Sequence, residues 1–205
     1  MKIGILGGAF DPPTWGHLQA AKFVADQTDM DRIWLMPCCW HNFGKEMAYG
    51  VERIRMLQLA LSWSMGKYIP RIVESSFELD NHMSGKTWET VKKLRRIKKH
   101  KEDQFFWIIG LDNANNFDRW EKADWLKQNA AFIVIPRKGV KPNTKIIWYQ
   151  HPPHIDLTGL PNPIMQVSSS KVRESIRQHK ASNLRRWLPP GAWAHIKNHH
   201  LYGWK

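Results

Sequence analysis

Short apolar runs alternate along this chain with longer stretches of helical spacing. "KIGIL" (2–6), "RIWLM" (32–36), "RIV" (71–73), "FFWIIG" (105–110), "AFIVI" (131–135) and "KIIWY" (145–149) have the length and composition of strands, several apolar on both faces. Between them, residues 16–27, 52–65, 87–99 and roughly 117–128 carry helical patterns; in the second, Ile54, Leu57, Leu61 and Met65 keep one face apolar. Such alternation builds βαβ units and predicts a mostly parallel sheet with helices on both faces. The tail departs from it. "SSSKVRESIRQHK" and "NLRRWLPPGAWAHIKNHH" read as two or three consecutive helices, punctuated by Pro189, Pro190 and Gly191. The expected fold is therefore α/β and doubly wound, a core over residues 1–165 with a small C-terminal helical cap over 166–205, in a single domain. Ligands of such sheets bind beyond the carboxyl ends of the strands, where strand order reverses, so motifs at strand ends carry the functional weight.

Composition adds bounds. At 205 residues, 42% hydrophobic and 24% charged, the chain is in the globular range. No apolar run approaches the roughly 20 residues of a membrane helix, and the first residues lack the long apolar stretch of a signal peptide, so a cytoplasmic protein without a membrane partner is expected. Two adjacent cysteines, Cys38 and Cys39, make no disulfide framework. A Cys-Cys-x-His metal site with His41 lacks a second ligand cluster, so no protein-held metal is expected. The net charge of +13 predicts attraction to polyanions, either phosphorylated small molecules or nucleic acid. Much of it lies in "KTWETVKKLRRIKKHK" (86–101), with eight Lys or Arg against one Glu. Trp88, Val91, Leu94 and Ile97 give that stretch one apolar edge, and a solvated helix face is favoured there over a nucleic-acid surface.

The chain leaves its first strand through "GGAFDPPTWGH" (7–17). Gly7 and Gly8 remove β-carbons where phosphates would approach backbone N–H groups. Asp11-Pro12-Pro13 stiffens the loop, because proline fixes its own φ and restricts the residue before it. Gly16 lets a helix start close to the sheet, and His17 falls in its first turn with Thr14 on the same side, where the helix dipole favours an anion. A second cradle is spelled by "VSSSKVR" (167–173): three serines before a helical stretch offer hydroxyls and free N–H groups, with Arg173 one turn beyond Ser170.

The first of these motifs resembles the signature of the nucleotidylyltransferase superfamily, Gly-Gly-x-Phe-Asp-Pro-x-[His/Thr]-x-Gly-His, and the second its Ile-Ser-Ser-Thr-x-x-Arg, with Ser170 at the threonine. "FFWIIGLDNANNFDRWEKADWL" resembles the Gly-x-Asp…Trp segment of bacterial nicotinate/nicotinamide mononucleotide adenylyltransferases. "FIVIPRKG", "YGVERIRMLQLAL" and "LPPGAWAHIKNHHLY" are similar to further segments of that family, in the same order. The resemblance implies a Rossmann-like fold and adenylyl transfer from ATP to the mononucleotide. It implies His17, Thr14 and Arg173 as catalytic, His17 steadying the α-phosphate. It places Gly7, Gly8, Phe10, Gly16, Gly110, Asp112, Ser169, Ser170 and Arg173 at ATP, and Lys45, Thr87, Trp120 and Arg137 at the mononucleotide. Mg²⁺ would travel on the ATP phosphates. Where many relatives have Tyr before the residue matching Thr87, Lys86 stands here; with Arg119 it tilts ring preference toward nicotinate. Two other readings stay open: a pantetheine-phosphate adenylyltransferase, and a basic nucleic-acid-binding protein on the same fold. Oligomeric state is left open.

Overall fold

The computed structural model describes residues 1–40, 47–68 and 70–205. Strands β1 (Lys2–Gly8), β2 (Arg32–Pro37), β3 (Ile72–Glu74), β4 (Gln104–Gly110), β5 (Ala131–Ile135) and β6 (Ile155–Asp156) form one sheet in the order β3-β2-β1-β4-β5-β6, every pairing parallel. The order reverses beside β1, so the crevice lies between β1 and β4. Helices are α1 (Trp15–Gln27), α2 (Gly50–Ser64), α3 (Phe77–Asp80), α4 (Thr87–Leu94), α5 (Leu111–Asn115), α6 (Ala123–Asn129), α7 (Ser169–Arg177), α8 (Ala181–Trp187) and α9 (Pro190–Asn198).

Alternation along the strands sorts these helices into two layers. Ile33, Leu35, Ile108 and Ile133 face a core shared with α1, α2 and the cap helices α7, α8 and α9. Ile3, Ile5, Trp107, Ile109, Phe132 and Val134 face the other, beneath α4, α5 and α6. Gly4 shows how tight the first layer is. A Cβ there would lie 2.8 Å from Ile33 Cδ1 and 3.2 Å from Ile108 Cδ1, so side chains of the two flanking strands close over β1. Among the described residues, no helix is long and apolar enough to cross a membrane.

Several elements differ from the pattern reading. Residues 145–149 do not form a strand: Trp148–Gln150 is a short 3₁₀ turn, and the edge of the sheet is the two-residue β6. The apolar content of that stretch serves packing instead, with Tyr149 fully buried and Trp148 edge-on to Phe132 at 5.3 Å. The basic helix stops at Leu94, where its apolar edge ends. Thr90, Val91 and Leu94 are buried, while Lys92, Lys93, Arg95 and Arg96 are exposed. Residues 117–128 divide into a 3₁₀ turn, Phe117–Arg119, and α6. On α2 the buried stripe is Arg53, Met56, Leu57, Ala60 and Leu61, turned from the expected one so that an arginine lies on it and Ile54 is half-buried.

Phe132, fully buried, packs edge-on against Phe117 at 5.0 Å as well as Trp148. Phe132→Ala should cost about 3–5 kcal/mol through lost transfer energy and a cavity. A thermal melt should show this as a midpoint lowered by roughly 6–20 °C for a chain of this size.

Candidate active site

The carboxyl ends of β1, β4 and β5 open into a cleft of about 530 Å³. Gly7, Gly8, Thr14, Gly16, His17, Thr87, Gly110, Asp112, Trp120, Arg137 and Ser169 all line it, so residues from five separated segments meet in one place. The helix N-termini of α1 and α7 both face this space, each presenting backbone N–H groups without an intrahelical acceptor. Gly16 carries the approach of α1: a Cβ there would lie 2.6 Å from the Met165 carbonyl oxygen, so no side chain fits.

His17 is held by its own helix cap. Its Nδ1 accepts from the Thr14 backbone N–H at 3.0 Å and lies 2.9 Å from the Thr14 hydroxyl. An atom accepting from an N–H carries no proton itself, so the proton of the neutral ring is on Nε2. Phe10 tilts against the ring at 4.9 Å between centroids. Burial, with help from the Arg137 guanidinium, lowers the His17 pKa to about 4. At neutral pH the side chain is therefore an uncharged donor aimed from the cleft wall.

The loop beneath is fastened by residues outside the cleft. Asp11 is fully buried; its Oδ1 accepts from the Ala48 N–H at 3.1 Å and the Tyr202 hydroxyl at 2.7 Å, while its Oδ2 lies 3.3 Å from Arg173 Nη1. The same Arg173 nitrogen donates to the Asp11 carbonyl, and Arg173 Nη2 to Ser170 Oγ at 3.4 Å. Burial and the nearby Asp11 carboxylate push the Tyr202 phenol far up, so it remains a donor. Arg53, also buried, donates from Nη1 to the carbonyls of Ala9 (2.8 Å) and Cys38 (2.9 Å), and from Nε to that of Ala48 (3.0 Å). Ser169 Oγ donates to the Pro12 carbonyl at 2.8 Å. Asp11, Arg53 and Tyr202 were not singled out as site residues from sequence. The signal for Arg53 was a cation at the i, i+3, i+4 positions of an apolar face, where it must find acceptors.

Three residues expected on the nucleotide are not among those that line the cleft. Phe10 is fully buried behind His17, Arg173 is buried on Asp11, and Ser170 takes Arg173 rather than lining the cleft. Phe10 and Arg173 are drawn inward because the loop between β1 and α1 needs apolar backing and partners for its buried polar groups, whereas Ser170 stays exposed. Lys45 lies outside the described residues. Lys86 also serves another end: its ammonium pairs with Glu121 at 2.9 Å and is absent from the cleft lining. Ring choice therefore draws no support from it. Trp120 stacks on Phe117 at 4.9 Å and also lines the cleft. At the mouth, Arg137 Nε lies 3.8 Å from the Asp112 carboxylate, and a Cβ on Gly110 would sit 2.5 Å from Asp112 Oδ1.

The cytidylyltransferase-like family model matches residues 5–175, a span containing both the 7–17 and the 167–173 motif. The chain belongs to the cytidylyltransferase-like family. Within it, the chain is similar to the probable nicotinate-nucleotide adenylyltransferase of Bacillus pumilus (strain SAFR-032), 32% identical over 203 residues, 98% of each chain. The corresponding protein of Geobacillus kaustophilus (strain HTA426) is 31% identical over 204 residues, covering 98% of this chain and 86% of its own. Among solved structures, Plasmodium falciparum nicotinic acid mononucleotide adenylyltransferase complexed with NaAD superposes with a TM-score of 0.84 at 21% identity, covering 100% of this chain and 98% of that one. The cytidylyltransferase-like fold is thus retained where little sequence is.

This geometry has measurable consequences. By NMR, with His17→Ala identifying the resonance, the ring should titrate near pH 4 and not 6.5. The unfolded chain binds that proton first, so this residue's contribution to stability falls as pH drops from 6.5 toward 4. Arg137→Ala should move the midpoint partway up. Tyr202→Phe should cost about 1.5–3 kcal/mol in a denaturant titration, the worth of a hydrogen bond to a charged group.

Proposed function

We propose that this chain is a nicotinate-nucleotide adenylyltransferase: it moves the adenylyl group of ATP onto nicotinate mononucleotide, or less readily its nicotinamide counterpart, in the synthesis of NAD-type dinucleotides. The observation that carries this reading is the meeting, in one cleft, of two helix N-termini and the neutral Nε2–H of His17.

In this reading the triphosphate lies along the N-termini of α1 and α7, with Gly7, Gly8, Gly16, Thr14 and Ser169 beside it. Gly110 and Asp112 take the adenosine ribose, Asp112 accepting from hydroxyls. Trp120, Thr87 and Arg137 take the mononucleotide, the indole against its ring. The names of the relatives favour nicotinate over nicotinamide. Arg173 acts through Asp11, by holding the loop that presents His17.

A phosphate oxygen of the mononucleotide attacks the α-phosphorus. The bond from that phosphorus to the bridging oxygen breaks, and pyrophosphate leaves with the electron pair. The nucleophile is already anionic, so no base has to remove a proton. What the protein supplies is alignment and donors for charge growing on the transferring group. Orientation of two bound reactants contributes roughly 7–11 kcal/mol, and one donor placed like His17 about 3–4 kcal/mol. Mg²⁺ fits as a partner of the phosphates rather than of the protein. Among the described residues lining the cleft, Asp112 is the carboxylate, and Arg137 faces it, which is a poor donor set for a hard cation. Bound there, the ion would offset phosphate charge.

Steady-state turnover of His17→Ala should fall about 10²–10³-fold with the mononucleotide KM nearly unchanged. The assay quantifies dinucleotide and pyrophosphate from ATP, Mg²⁺ and each mononucleotide separately. Product with neither mononucleotide would overturn the proposed activity; unchanged turnover in the variant would remove His17 from the reaction.

A further inference from the structure

Away from the cleft, α2 and α9 pack together and leave a groove that shares none of the cleft's lining residues. The two helices approach backbone to backbone. A Cβ on Gly191 would come within 2.3 Å of the Leu59 carbonyl oxygen, so the helices' spacing is fixed there. Beyond that contact, Glu52 of α2 faces His195 of α9, with a carboxylate oxygen 2.5 Å from the ring Nε2. His199 follows one turn later, its N–H bonded to the His195 carbonyl at 3.0 Å and its ring 4.1 Å from the His195 ring. One ligand atom from each of Glu52, His195 and His199 lies within 4.8 Å of the others.

We propose that Glu52, His195 and His199 form a binding site for a zinc-class divalent transition metal that clips α9 to α2. The donor set decides the class. Two imidazoles at i and i+4 with one carboxylate suit Zn²⁺ and its neighbours, whereas Mg²⁺ and Ca²⁺ require more oxygens than Glu52 supplies. Bonds of about 2.0–2.2 Å would place the ligand atoms a little over 3 Å apart. Glu52 and His195 must separate slightly from their hydrogen bond and His199 must swing in. His199 is exposed and Glu52 is partly so, and both can make that adjustment, while buried His195 serves as the fixed ligand. His200 does not compete, since its Nδ1 lies 3.2 Å from the Trp204 carbonyl oxygen. Arg55, on the same groove, lies 3.4 Å from Gln58 Oε1 through Nη1. The open side of the groove leaves a coordination position for water. A metal here is structural: it ties the cap to the helix whose Arg53 holds the Ala9 and Cys38 carbonyls.

The test is titration of the purified full chain with Co²⁺, read by visible absorption, followed by displacement with Zn²⁺. The expected result is one equivalent of tetrahedral-type absorption without a thiolate charge-transfer band. It should be lost in His199→Ala and in Glu52→Gln and retained in Cys38→Ser/Cys39→Ser. Zn²⁺ should raise the thermal midpoint of the wild type and leave that of His199→Ala unmoved, with adenylyl-transfer turnover equal in the two proteins. Absorption that survives in both His199→Ala and Glu52→Gln, or that disappears with the cysteines, would overturn the proposal. So would the absence of any saturable equivalent.

Discussion

A single buried carboxylate holds the parts of this molecule in register. Asp11 takes a hydrogen bond from the segment before α2, another from the phenol of Tyr202, and the charge of Arg173 from α7. A carboxylate in such a place costs several kcal/mol in lost hydration unless its partners replace water. The partners come from three distant stretches of chain, so none can be withdrawn without exposing the charge or stranding it. The loop between β1 and α1 is therefore determined from outside itself.

That arrangement explains how a site made largely of loop and helix ends can be rigid. Arg53 gathers three carbonyls from the Ala9, Cys38 and Ala48 turns, and Ser169 bonds the Pro12 carbonyl, so the two helix N-termini are fastened to each other. Thr14 then fixes the ring of His17 from below. Much of the cleft's loop backbone rests on Asp11, Arg53, Arg173 and Tyr202, side chains that do not line the cleft. Donors already in place need not reorganise when charge develops before them.

The sheet and its winding were legible because buried parallel strands are continuous apolar runs, and five of these six strands are such runs. "KIIWY" has the same composition but feeds Tyr149 and Trp148 into the aromatic core, and no period over five residues separates those outcomes. The two residues of β6 are too few to carry any pattern. Within the site, the residues on the cleft wall stood out because glycine, serine and histidine at strand ends have few other uses. The inner partners did not. A pattern of types shows which residues are polar, not whether they face ligand or protein, and Phe10 and Arg173 turned inward for that reason. Arg53 was hidden by a stripe drawn one residue off, through Ile54 in place of Arg53.

The bond between Tyr202 and Asp11 spans 191 positions of sequence. At translation rates of about 5–20 residues per second, the carboxylate is made roughly 10–40 s before the hydroxyl that completes its shell. Late in that interval, once Ser169 has been added, the chain has its six strands and the starts of α1 and α7 in hand, yet the loop between β1 and α1 still lacks its last fastening. Maturation of the cleft is thus tied to delivery of the tail, and a nascent chain stalled short of it carries the motifs without the finished pocket.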